Sequence, residues 1–113
     1  KRASEYLSAG EDGIMIHSSQ KTPKEIFKFS NLFKKKFPKV PLVAVPSSYN
    51  AVSEVELIDN GFNIVIYANH LLRASYPAME KTALSILQNK RSLEIDNKLM
   101  SIKKILELIP GTK

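Results

Sequence analysis

An α/β protein built on a parallel sheet is the fold this sequence predicts, and two observations predict it. Three short, continuous apolar runs alternate along the chain with segments whose apolar residues recur every three or four positions. A polar cluster starts where each of those runs stops, which is how strands feeding a functional edge of a parallel sheet read.

Residues 1–9 fit a helix with Tyr6 and Leu7 turned inward, and Gly10 stands where a left-handed C-cap would end it. The run Gly13, Ile14, Met15 and Ile16 has the pattern of a strand buried on both faces, and it gives way to His17, Ser18 and Ser19. Thr22, Pro23 and Glu25 then spell a helix start: a threonine N-cap, proline at the first helical position and a glutamate three residues on to close a capping box. Ile26, Phe29, Phe33 and Phe37 follow as one apolar stripe, lysines fill the other side, and Pro38 stops the helix.

A second strand is expected from Val40 to Val45, with Pro41 at its entrance, running into Pro46, Ser47, Ser48, Tyr49 and Asn50. Ser53 can cap a short helix carrying Val55, Leu57 and Ile58, and Asn60-Gly61 tolerates a left-handed end. A third strand is predicted from Phe62 to Ala68, with Asn69, His70 and Arg73 directly after it. The spacing next predicts a long helix from about Ala74 to Asn89 that buries Met79, Ala83, Ile86 and Leu87, then a looser segment over residues 90–96. A last helix gathers Leu99, Ile102, Ile105, Leu106 and Ile109 on one face.

The order α-β-α-β-α-β-α implies parallel strands with right-handed crossovers, and chemistry at the C-terminal strand ends. Three such strands make a poor free-standing sheet, because both outer strands leave backbone groups unpaired. With Lys1 rather than methionine at the start, and no apolar signal-peptide core, the chain is expected to be cut from something longer.

A length of 113 residues and a hydrophobic content of 43% suit one globular unit rather than a disordered or multidomain chain. The sequence contains no cysteine, which excludes disulfides and thiolate metal sites, and no apolar run approaches a membrane span; a cytoplasmic protein is the expectation. The net charge of +6 comes largely from Lys21, Lys24, Lys28, Lys34, Lys35, Lys36 and Lys39, set against the single acid Glu25 over the same stretch. A solvated lysine face explains them, and without an arginine cluster or interleaved aromatics neither nucleic acid nor membrane is the expected partner.

The three strand-end clusters converge on one layer if the strands are neighbours, and that layer is neutral to cationic. A small anion is its natural ligand: histidine and arginine can neutralise a carboxylate or phosphoryl group, and hydroxyl and amide groups can orient it. Metal-binding histidine spacings, a nucleophile elbow, a glycine-rich phosphate loop and paired strand-end carboxylates do not occur. The serines have His17 and His70 as potential bases but no orienting acid, so the chain is expected to hold no complete catalytic group and no metal site.

On these residues the chain resembles the C-terminal part of the phosphoenolpyruvate mutase family, within the isocitrate lyase superfamily. The resemblance rests on GIMIHS and IYANHLLRAS, supported by VAVPSSYN and LMSIKKILEL in the same order. It implies that the strands are six to eight of a (β/α)8 TIM-type barrel. It also implies that the intact parent is an isomerase interconverting phosphoenolpyruvate and phosphonopyruvate, with Mg2+ held by residues outside this chain. His17 matches the family's substrate contact after strand six. Ser18 joins it in the same cluster, and Asn69, His70 and Arg73 match the motif after strand eight in a supporting role.

The family's nucleophilic aspartate, acidic magnesium ligands and gating loop belong to the earlier part of the barrel, so the chain alone is expected to be inactive. A homo-oligomer is expected, through the open strand edge or the final helix, which the superfamily packs across a subunit interface. Phosphonopyruvate hydrolase and carbon–carbon lyases of the same superfamily are the near alternatives. A non-catalytic module that binds anions or a partner through its lysine face is the alternative from a different class.

Overall fold

The computed structural model describes residues 2–109 and 111, and their order is helix, strand, helix, strand, helix, strand, helix, 3-10 turn, helix. The elements are α1 (Arg2–Ser8), β1 (Ile14–Ile16), α2 (Lys24–Lys36), β2 (Leu42–Ala44), α3 (Glu54–Asp59), β3 (Ile64–Val65), α4 (His70–Asn89), the turn Asp96–Lys98 and α5 (Ile102–Glu107). The chain divides into two compact units, one ending at Ala68 and the other starting at Asn69. The α/β parallel architecture read from the sequence is therefore present, wholly within the first unit.

In that unit the strands lie in the order β1-β2-β3, all parallel, with Ile14 beside Leu42, Met15 beside Val43, and Val43 beside Ile64. Because side chains alternate along a strand, this register gives the sheet two distinct faces. Ile14, Leu42 and Ala44 are buried with Ile26 and Phe33 of α2, Leu57 of α3, Phe62 and Tyr49, while Ala3 and Leu7 of α1 pack on the same core. On the other face Met15 is 64% exposed, Ile64 49% exposed and Val43 half-buried. The expectation that the first strand is buried on both faces is thus corrected: the described residues cover one face only.

α1 ends as expected. Gly10 adopts φ +103°, its N–H donates to the Leu7 carbonyl and the Glu11 N–H reaches back to the Tyr6 carbonyl, the paired bonds of a left-handed C-cap. Leu7 turns inward, but Tyr6 is 56% exposed, since the core stripe of this short helix is carried by Ala3 and Leu7 four residues apart. In α2 the stripe holds: Ile26 and Phe33 are buried, and Phe29, Phe33 and Phe37 form a ladder with ring centroids 5.4 and 5.1 Å apart. The predicted Thr22–Glu25 capping box does not form: the helix starts one residue later than expected, at Lys24 with Pro23 rather than Thr22 at the N-cap, and the Glu25 carboxylate accepts a hydrogen bond from the Ser18 hydroxyl.

The box that does form is at α3. The Ser53 hydroxyl accepts from the Glu56 N–H while the Glu56 carboxylate accepts from the Ser53 N–H at 2.8 Å. The Ser53 backbone N–H first, and then the Ser53 hydroxyl, which also donates to the carboxylate at 2.9 Å, lower the Glu56 pKa from its ordinary value. A depressed folded-state pKa contributes stability that is complete above the unfolded value and is lost as pH falls through the folded one. The Glu56 side chain, followed by NMR, is accordingly expected to titrate below the ordinary glutamate midpoint, and Ser53→Ala, which removes the hydroxyl but keeps the backbone N–H, should bring that midpoint only part of the way back up.

β2 and β3 are clamped by one side chain that sequence reasoning did not single out. Asn63 donates its N–H to the Leu42 carbonyl at 2.9 Å, and its Oδ1 accepts both the Leu42 N–H at 3.0 Å and the Lys34 ammonium at 2.9 Å. Lys34 also donates to the Val40 carbonyl, so this lysine belongs to a structural bridge rather than to a solvated face. Its side chain passes over Gly61, where φ is +84° and a Cβ would stand 3.1 Å from the Lys34 Cγ, so a larger residue would strain the backbone and push the lysine aside. Asn63→Ala strands the N–H of buried Leu42 and should cost about 1–3 kcal/mol in urea unfolding. Asn63→Asp keeps the acceptor and should recover most of that.

The strands are shorter than their apolar runs, most clearly the third, predicted from Phe62 to Ala68 and observed at Ile64–Val65. α4 instead starts four residues earlier than expected, at His70. A start at Ala74 would have put Pro77 in the first turn, where its missing N–H is harmless; the observed helix carries Pro77 internally. In the second unit the burial expected of α4 is also corrected: Met79, Ala83, Ile86 and Leu87 are exposed, and among its described residues only Ile95 is buried. The final apolar face is likewise exposed, with Ile102 at 75%. Ser101 caps α5 through the Lys104 N–H.

Candidate functional site

Parallel pairing puts the C-terminal ends of β1 and β2 on one edge of the sheet, so His17, Ser18 and Ser19 come to the same edge as Ser47, Ser48, Tyr49 and Asn50. From Ile14 to Ser18 the side chains alternate in the strand manner: Ile14 is buried, Met15 exposed, Ile16 half-buried, His17 exposed and Ser18 buried. His17 therefore projects to the same side as Met15, the uncovered face, at the mouth of the strand. Ser18 points the other way, into the body.

Ser18 is placed differently from a ligand-contacting group. It is 4% exposed, its hydroxyl donates to the Glu25 carboxylate on the first turn of α2, and its oxygen accepts the Gln20 N–H at 3.1 Å. Its single proton is spent, so no donor remains for an anion. Glu25, which sequence reading assigned to a cap, anchors this turn; no sequence spacing signals a serine–glutamate contact seven residues apart across a strand-to-helix loop.

Beyond β2, the Ser47 N–H closes a tight turn onto the Val45 carbonyl at 2.9 Å, and Ser47 and Ser48 are half-buried. Tyr49 is completely buried, and burial pushes its phenol pKa up, opposed by the Val45 backbone. Its ring makes it a core residue below the edge rather than a group presented to a ligand. After β3, Tyr67 donates to the Glu54 carboxylate at 2.9 Å; that bond, ahead of burial and the nearby charge, raises the tyrosine pKa.

Asn69, His70 and Arg73 lie in the second unit, and the structure brings them together on the N-terminal turn of α4 rather than in a loop. Asn69 is the N-cap, His70 the first helical residue, and the Arg73 N–H donates to the Asn69 carbonyl at 3.0 Å.

A recess of about 540 Å³ runs along the outer edge of β1, lined by Arg2, Tyr6, Glu11, Met15, His17 and Phe29 among others. It follows the strand lengthwise and shares only His17 with the strand-end layer, so its size does not mark the chemistry. A magnesium ion prefers several carboxylate and water oxygens in octahedral array. The described residues do not fit one: they hold no group of three or more histidine, aspartate or glutamate side chains, and Glu25 and Glu54 are engaged by Ser18 and Tyr67. Of the strand-end groups in the first unit, His17 is exposed while the Ser18 hydroxyl is committed to Glu25.

The family model described as phosphoenolpyruvate phosphomutase matches residues 1–87. The chain belongs to that family. Among proteins of the family or close to it, the chain is 41% identical over 110 residues to a phosphonopyruvate hydrolase of Variovorax sp. (strain Pal2), covering 96% of this chain and 37% of the hydrolase. It is 34% identical over 108 residues to the phosphoenolpyruvate phosphomutase of Tetrahymena pyriformis, covering 96% and 35%. The crystal structure of a phosphoenolpyruvate phosphomutase from Streptomyces platensis subsp. rosaceus superposes with a TM-score of 0.83 at 31% identity, over 95% of this chain and 36% of that one. A phosphonopyruvate hydrolase solved as a complex with oxalate and Mg++ superposes with a TM-score of 0.78 at 41% identity, over 95% and 37%. The chain thus spans about a third of the length of the curated relatives it matches. Among the described residues no helix is long and apolar enough to cross a membrane.

Proposed function

We propose that this chain is the C-terminal part of an enzyme that interconverts phosphoenolpyruvate and phosphonopyruvate, its three strands being six to eight of a (β/α)8 barrel. The observation that carries the reading is His17, set at the C-terminal end of a parallel strand on the uncovered face, in a chain whose family is named for that phosphoryl migration. In this reading the His17 imidazole contacts the substrate's phosphoryl or carboxylate group. Ser18 holds the loop, and Asn69, His70 and Arg73 keep the supporting role that the family's motif implies. Mg2+ would be bound by carboxylates elsewhere in the intact protein, consistent with the metal in the related hydrolase complex. The isolated chain would be inactive, and the intact protein a cytoplasmic homo-oligomer.

A second reading is hydrolysis of phosphonopyruvate, and it is favoured by the higher identity to the hydrolase, 41% against 34% for the Tetrahymena mutase. Phosphorus NMR of the intact protein with phosphonopyruvate and Mg2+ separates the two. Growth of a phosphoenolpyruvate resonance is expected; inorganic phosphate with pyruvate would establish the hydrolase instead, and absence of turnover would contradict both.

A further inference from the structure

The geometry points to Glu25 as a positioning residue that acts on substrate through His17, an inference that rests on the proposed role of His17 and deepens it. The turn after β1 has no regular backbone ladder beyond Ile16, yet it must keep a definite parity, because a shift of one residue would exchange the outward His17 for the inward Ser18. What fixes that parity is a single side-chain knot. Ser18 is drawn inward and buried, its hydroxyl donates to Glu25, and its oxygen receives the Gln20 N–H, which closes the turn from the other side. Glu25 is in turn held by α2, whose next residue, Ile26, is completely buried in the core.

The chain of constraint therefore runs from the packed helix through Glu25 and Ser18 to the direction in which His17 leaves the strand. The hydrogen bond is charge-assisted and partly buried, the kind that holds a geometry rather than merely decorating a surface. Glu25 itself is not placed to touch an anion, which it would repel; its service is to spend the Ser18 proton and lock the turn. The α2 cap prediction misread this residue, since its carboxylate faces the strand end rather than its own helix terminus.

The test is a double-mutant cycle in the intact protein, with phosphonopyruvate as substrate. Glu25→Ala should lower kcat/KM by about tenfold, as misplacing a contact does. The same substitution in a His17→Ala background should change it by less than about twofold, because the group it positions has been removed. Glu25→Gln, which keeps an acceptor oxygen for Ser18, should restore most of the loss and show that the fold is intact. An equal loss in both backgrounds, or no loss from Glu25→Ala beside a damaged His17→Ala, would overturn this inference while leaving the His17 reading in place. An unaffected His17→Ala would overturn both.

Discussion

Replacing His17 by alanine in the intact protein is expected to lower kcat/KM for phosphonopyruvate by roughly ten- to a hundredfold, the kinetic equivalent of about 1.5–3 kcal/mol for one hydrogen bond to a charged group. The size follows from where the side chain sits. His17 is exposed at the mouth of its strand and lies outside the buried core cluster, so its removal should leave the melting transition almost unmoved. Activity and stability should therefore separate, which a residue important only for folding would not allow. Glutamine, which retains a donor, should fall between the two. Steady-state kinetics beside a thermal melt measures both, and unchanged kinetics would remove His17 from the site.

Phe33→Ala is expected to do the opposite, costing about 3–5 kcal/mol of stability in urea unfolding, because it deletes a buried ring and leaves a cavity. Phe33 is 6% exposed and stands between Phe29 and Phe37 in the ring ladder of α2, so both neighbours lose a partner together. α2 carries the Glu25 anchor at one end and the Lys34 bridge to β3 towards the other. Loosening this helix should thus weaken the strand-end turn as well as the β2–β3 clamp. Phe33→Leu, which refills much of the volume, should lose far less.

The contrast between these residues shows how much could be read from the sequence. Ile26 and Phe33 declare themselves by spacing, because helix burial is periodic and seven residues apart means the same face. Gly10, Gly61 and Ser53 declare themselves by backbone chemistry, which acts over a few neighbouring residues. Tertiary contacts leave no such local mark. Asn63 reads as an ordinary polar residue in a strand, yet it completes the ladder of Leu42 and holds Lys34 twenty-nine positions away. Ser18 and Glu25 carry rival local meanings, a polar strand end and a helix cap, and only the fold decides that they bind each other. The exposed rows of α4 and of the outer sheet face mark the other limit, since apolarity predicts burial without saying what provides it. Of the candidate residues, His17 at its strand end was legible, whereas the start of α4 at His70 and the anchoring of Ser18 by Glu25 were not.

The most direct measurement is histidine NMR on the intact protein with isotope-labelled imidazoles, the His17 signal being assigned by its loss in His17→Ala. Titration with phosphonopyruvate and Mg2+ to equilibrium should move the His17 ring resonances saturably, with the same half-saturation as binding measured independently. A His17 signal that stays in place while substrate binds and turns over would contradict a strand-end histidine that holds the substrate.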